Sequence, residues 1–206
     1  MLTPKQIKIF ETFLRRPYKE LTYKEIKEQE KSNSLTQRAL IKFLAKDLVM
    51  KRTMGNIMLY SVNLKNNTVF SYFDIVIKEK MSSLVKKTLS IILEEISTIE
   101  FACLVIFGSY AEGKSGAKSD LDIALFVQSQ EDKKNGELAM RSAQLKSIME
   151  LDTHVFTKEE MLQMLKDKHE NLGKQIAHKH LVVQNPSIFY SIVQGGINNG
   201  FKIVYT

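Results

Sequence analysis

Cysteine is nearly absent from this sequence: among 206 residues only Cys103 carries a thiol. A single thiol builds no disulfide framework within the chain and supplies no paired thiolates for a zinc site. Cys103 stands inside the apolar run Phe101–Phe107, where it reads as a small buried hydrophobe. Long apolar runs are missing as well. No stretch approaches the roughly 20 residues that a membrane-spanning helix needs. The opening Met1-Leu-Thr-Pro-Lys-Gln lacks the basic-then-apolar layout of a secretory signal. These absences argue against a membrane partner and lead to the expectation of a reduced, cytoplasmic setting. Internal repeats and low-complexity segments are also missing.

What remains is an ordinary globular balance, with 44% hydrophobic and 26% charged residues. The length suits one large domain or two small ones. The net charge of +7 is spread unevenly. Residues 1–65 hold 14 Lys and Arg against 6 Asp and Glu, whereas residues 66–206 hold 16 against 17. A basic first third joined to a nearly neutral remainder suggests a polyanion-facing module attached to a separate one, although a lysine-rich solvated surface gives the same count.

Ile7, Phe10 and Leu14 recur at helical spacing between Pro4 and Pro17. Thr22-Tyr-Lys-Glu25 reads as a capping box opening a short helix, and Ser34-Leu-Thr-Gln37 as another, opening a third helix with Leu40, Phe43, Leu44 and Leu48 inward. Two strand-like runs, Val49–Met54 and Ile57–Val62, flank Gly55-Asn56 in the manner of a hairpin. Residues 66–99 read as helical throughout. The order predicts an α+β protein: a first domain over 1–65, a helical linker over 66–80 and a second domain over 81–206.

The informative segment lies in the second domain. The apolar run Phe101–Phe107 suits a strand buried on both faces, and it stops at Gly108-Ser109. Glycine lets backbone approach a ligand, and outward amide groups at a following helix start make an anion site. Asp120-Leu-Asp122 then leads into a second apolar run, Ile123–Val127. Residues two apart on a strand share a face, so these carboxylates converge and repel unless a cation lies between them. Hard oxygen donors at this spacing suit Mg²⁺, which takes one or two carboxylates plus substrate phosphates.

Gly108-Ser109, ten intervening residues and Asp120-Leu-Asp122 resemble the signature of the DNA polymerase β superfamily of nucleotidyltransferases. The fuller pattern, Gly-Ser-Tyr-Ala-x-Gly followed by Ser119-Asp-Leu-Asp122, is similar to the minimal nucleotidyltransferases of prokaryotes. The resemblance implies a mixed sheet flanked by helices over 81–206. It implies a third acidic residue on a later strand, for which Asp152 in Leu151-Asp-Thr-His-Val-Phe156 is the candidate. Asp120, Asp122 and Asp152 would then be catalytic and hold two Mg²⁺ ions, while Gly108, Ser109, Lys118 and Ser119 would meet the phosphates of ATP or another NTP. Many relatives carry Arg directly after Gly-Ser; here Tyr110 stands there, and Lys114 or Lys118 is the nearest replacement charge. His154 alternates with Asp152 and reads as lining the sheet, while His178 and His180 read as solvated.

The segment from residue 4 to residue 64 resembles a winged helix-turn-helix. That implies Gln37, Arg38, Lys42, Lys46, Lys51 and Arg52 as candidates for contacting double-stranded DNA, with Thr36 on the same polar face. The subgroup resembled commonly adenylylates a small helical nuclease as the antitoxin of a toxin–antitoxin pair, and an attached winged helix fits control of its own operon. Transfer to a small molecule such as an antibiotic is the alternative enzyme reading; a nucleotide-sensing DNA-binding regulator is the alternative without catalysis. A homodimer is compatible with each.

Overall fold

The computed structural model describes every residue except 29, 31, 117, 118 and 206. The chain divides into two units, Met1–Glu79 and Lys80–Thr206.

In the first unit, α1 (Pro4–Arg15) starts where Thr3 caps it in a reciprocal box with Gln6. A two-residue strand, β1 (Leu21–Thr22), leads into α2 (Tyr23–Lys27), capped by the Thr22–Glu25 box that the sequence announces. The next helix, α3 (Asn33–Ala45), begins earlier than expected. Ser32 caps it by accepting from the Leu35 amide, so Ser34 lies inside the helix rather than at its cap. The hairpin of β2 (Val49–Met54) and β3 (Ile57–Val62) pairs in register from Val49–Val62 to Met54–Ile57, and β1 adds to the far edge of β3. Gly55 takes the left-handed conformation a two-residue hairpin turn demands.

The segment expected as a linker is α4 (Asn67–Lys80), and it is part of this unit's core. Val69, Phe70, Tyr72, Phe73, Val76 and Ile77 are buried. Phe10 meets Phe43, Phe73 and Tyr72 with ring centroids 5.2, 5.7 and 5.8 Å apart, at tilted or edge-on angles that aromatic pairs favour. A free linker would expose these rings to water, so the first unit extends past residue 65 to Glu79.

The second unit opens with α5 (Ser83–Glu95), capped by Ser82. Then come β4 (Cys103–Ile106), the single turn α6 (Gly108–Ala111), β5 (Leu121–Val127), α7 (Gln130–Lys146), β6 (Leu151–Thr157), α8 (Lys158–Lys166), α9 (Leu172–His178), β7 (Leu181–Gln184) and α10 (Pro186–Asn198). The strand order is β6-β5-β4-β7. β5 and β6 run parallel while β4 is antiparallel to both its neighbours, so the sheet is mixed. β4 is fully buried along its length, as its unbroken apolar run requires. α7 starts at Gln130, where Ser129 and Asp132 form a capping box. β7 closes the sheet beside β4. No helix is long and apolar enough to cross a membrane among the described residues.

Candidate active site

Two neighbouring strand starts bring the acidic candidates together. Asp122 sits second in β5 and Asp152 second in β6, and the parallel register pairs them directly. Neighbouring strands lie about 4.8 Å apart, so the two carboxylates share one small volume. Asp120 lies just before β5, two residues from Asp122 and exposed. Burial pushes the Asp122 carboxyl above its ordinary range, and the charges of Asp152 and then Asp120 push the same way.

The turn after β4 closes the other side. Gly108 has φ +61°, and a Cβ on it would lie 2.1 Å from Asp122 Oδ2 and 2.6 Å from Cγ. Glycine is therefore demanded twice, by backbone conformation and by the carboxylate pressed against it. The Ser109 amide donates to Asp122, the interaction that opposes the upward push on this carboxyl. The Phe107 amide donates to the Asp122 carbonyl at 3.1 Å, so turn and strand are tied by main chain as well.

Other candidates have partners that redefine them. Ser119 Oγ accepts from the Gly116 amide at 2.8 Å and closes the loop preceding Asp120. Lys118 lies outside the described residues. Lys114 pairs with Glu112 at 2.8 Å, and Lys179 meets the same carboxylate at 2.9 Å. These hydrogen bonds, Lys114's first, hold Glu112 down to about 2. Tyr110 accepts from the Ser82 amide at 3.4 Å, anchoring the turn to the start of α5. His180 is not solvated. Its ring packs 4.5 Å from Phe189, its Nε2 is sealed from water without a hydrogen-bond partner, and burial drives it down to about 4. His178 is half-buried, and its Nδ1 accepts from the Val204 amide at 3.3 Å.

In the first unit, Gln37, Arg38, Lys46, Lys51 and Arg52 are exposed. Arg52 is engaged by both oxygens of Glu20, and Lys42 donates to the Met1 carbonyl at 2.8 Å and to Gln6 at 3.1 Å. Thr36, expected on the polar face, is fully buried with its hydroxyl donating to the Ser32 carbonyl. Its methyl and its internal hydrogen bond make it a core residue.

Among the described residues, no three His, Cys, Asp or Glu side chains form a ready-made metal cage. The donor set nonetheless fits a hard divalent ion that completes its shell with water and phosphate, because such an ion needs only one or two carboxylates from the protein. Burial first, and then the charges of Asp152 and Asp120, push the Asp122 carboxyl up, and a bound cation would relieve the repulsion among the three.

The family model for the polymerase beta nucleotidyltransferase domain matches residues 87–197, more than half the chain. The protein belongs to that family, and its mixed sheet flanked by helices is the architecture the family implies. Comparison with curated proteins and with solved structures returns no match.

Proposed function

We propose that this protein transfers a nucleoside monophosphate, AMP from ATP foremost, to a hydroxyl group on a protein, with Asp120, Asp122 and Asp152 as its catalytic carboxylates. The acceptor hydroxyl attacks the α-phosphorus in line, the bond to the bridging oxygen breaks, and pyrophosphate leaves. Two bound Mg²⁺ ions would neutralise charge on the attacking and leaving oxygens. Asp122 in β5 and Asp120 just before it would supply oxygen ligands to the metals, and Asp152 would bind the catalytic metal and take the acceptor's proton. Gly108 lets the turn approach Asp122, and Ser109 orients that carboxylate while facing the phosphates. The observation that carries the reading is the in-register pair Asp122–Asp152 set against the Gly108-Ser109 turn.

The protein acceptor proposed is a small helical nuclease, with this chain as the antitoxin that silences it; that step rests on the resemblance to minimal nucleotidyltransferases. Incubation with α-labelled NTPs, Mg²⁺ and separate candidate acceptors tests it. Label on the helical protein, lost with Asp122→Asn, supports the proposal. Label on an aminoglycoside alone moves the function to a small-molecule acceptor. Label on neither, with nucleotide still bound, leaves a nucleotide-sensing regulator.

We further propose that the first unit is a winged helix whose Gln37, Arg38, Lys46 and Lys51 face double-stranded DNA. Their exposure and the basic excess of residues 1–65 support this. Lys42 and Arg52 are weaker contributors because each is held by a partner distant in the chain, whereas Arg38 donates only to the Ser34 carbonyl one helical turn back. Affinity for the upstream DNA that falls steeply with salt is the expected result, and salt-independent or absent binding refutes it.

A further inference from the structure

The second unit has a cavity that the reaction proposed above does not use. It measures about 410 Å³ and lies between the end of α8, the loop that follows, α9 and the segment after α10. None of its lining residues belongs to the Gly108-Ser109 turn or to the three carboxylates. Its volume falls within the range of small-molecule sites, roughly 300–1,000 Å³.

The walls concentrate positive charge. Residues 66–206 hold 16 Lys and Arg against 17 Asp and Glu, so the surrounding chain is close to neutral. Yet Lys166, Lys168, Lys174 and Lys202 all line this cavity, from the last residue of α8, the following loop, α9 and the chain beyond α10. Among the described residues, Lys166, Lys168 and Lys202 make no ion pair. Lys174 donates to the His169 carbonyl at 2.8 Å, which ties the loop to α9. Asp167 and Glu170 are the acids in the lining, and Asp167 is turned to its own loop, where it accepts from the His169 amide at 2.9 Å. Four lysines against two acids leave an excess of two positive charges.

The floor is apolar. Leu165 and Phe201 are 2% and 7% exposed, and the His178 ring packs 5.6 Å from Phe201. His178 is neutral: burial holds it below its ordinary range, and its Nδ1 accepts from the Val204 amide at 3.3 Å. Its proton is therefore on Nε2, which adds one neutral donor to the lining. An apolar floor with converging cations selects an organic anion, and compact ammonium groups suit phosphate oxygens. The enclosed volume favours a small ligand over a broad protein surface.

We propose that this cavity is a second binding site, for a phosphorylated small molecule about the size of a mononucleotide, with its phosphates on the lysines and its apolar part over Leu165 and Phe201. The site is separate from the catalytic carboxylates and needs no divalent ion. It stands whether or not the nucleotidyl-transfer reading holds.

The test is ADP binding to the full chain by isothermal titration calorimetry in EDTA, where the Asp120, Asp122 and Asp152 cluster has no cation to join it to a phosphate. Lys168→Gln/Lys202→Gln removes two exposed ammonium groups, and thermal melts check that the variant folds. Lys5→Gln/Lys8→Gln makes the same change in net charge on exposed positions of α1 and controls for general attraction to a basic chain. ADP affinity should fall about tenfold or more in Lys168→Gln/Lys202→Gln and stay within about twofold of wild type in Lys5→Gln/Lys8→Gln. Inorganic pyrophosphate, which has no apolar part, should bind the wild type about tenfold more weakly than ADP. Absence of ADP binding to the wild type at roughly millimolar concentration overturns the proposal. Unchanged affinity in Lys168→Gln/Lys202→Gln overturns it too, as does an equal loss in both variants. Pyrophosphate binding as tight as that of ADP overturns the role given to Leu165 and Phe201.

Discussion

Gly108 and Asp122 are in such close contact that no other residue fits at position 108: a Cβ there would stand 2.1 Å from the Asp122 Oδ2 oxygen. Gly108→Ala is therefore expected to do two things. It places a non-glycine residue at φ +61°, a conformation costing about 1–2 kcal/mol. It also drives the Asp122 carboxylate out of line with Asp152. Displacement of a reacting group by about 1 Å can cost on the order of 100-fold in rate. Pyrophosphate release should fall by at least that factor while circular dichroism shows the chain still folded. Wild-type turnover in a folded Gly108→Ala protein refutes the contact's importance.

Asp122 should be a residue that the fold would be more stable without. Its carboxyl is raised by burial first and by Asp152 next, so its ionised form opposes folding. The sign follows from linkage. A folded-state value above the unfolded one means the penalty is present at neutral pH, fades as pH falls through the raised value, and is gone below the ordinary 3.8. Asp122→Asn keeps an oxygen for the Ser109 amide and removes the charge. It should melt higher than wild type at pH 7, with the gap closing toward pH 4, while turnover falls by several orders of magnitude. Mg²⁺ with nucleotide should narrow the neutral-pH gap, because only wild type gains from binding. A variant that melts lower at every pH contradicts this.

The core of this site was legible because it is local. Gly108-Ser109 ends one apolar run and Asp120-Leu-Asp122 starts the next, so strand periodicity predicts two carboxylates on one face, although β5 itself takes in only Asp122 of the two. Asp152 came only through family resemblance, since its position beside Asp122 depends on the parallel pairing of β5 and β6, and register between distant segments is not written in either one. His154 shares a face with Asp152 by strand alternation alone, but its contact with Phe107 depends on how the strands assemble. The amphipathic stretch at Val69–Ile77 reads alike whether it links or packs, and the Phe10 cluster decides the matter. Ser34 reads as the cap of α3, but Ser32, two residues earlier, is the residue whose hydroxyl accepts from a helix amide.

Acid should loosen the first unit through Glu25. Its carboxylate accepts from Lys19 at 2.7 Å and from the Thr22 amide at 2.8 Å, and these two, in that order, hold it down to about 2. A lowered carboxylate stabilises the fold above its ordinary 4.5 and loses that contribution as pH falls through about 2. Water reaches the pair, so its worth is about 1 kcal/mol, far below what the shift alone would imply. Glu25→Gln can still complete the capping box but cannot pair with Lys19. Its deficit in urea unfolding should be about 1 kcal/mol at pH 7 and shrink steadily between pH 4.5 and 2. A deficit independent of pH assigns the effect to packing instead.

Gly196→Ala should separate stability from chemistry in the second unit. Gly196 lies within α10 where the helix crosses α8, and a Cβ there would meet Leu165 Cδ1 at 2.5 Å and Cβ at 3.1 Å. Replacing a helical glycine gains about 1 kcal/mol in intrinsic propensity. Overpacking a closed core costs about 1–3 kcal/mol, and Leu165 is only 2% exposed, with little space into which to retreat. The packing cost exceeds the propensity gain, so the melting temperature should fall by about 2–6 °C. The carboxylates are carried by β5, β6 and the loop before β5, none of which includes either residue. Pyrophosphate release per folded molecule should therefore stay within about twofold of wild type, far from the 100-fold loss expected of Gly108→Ala. A comparable loss in both variants would mean that any disturbance of this unit disables it, and the close approach of Gly108 to Asp122 would carry no special weight.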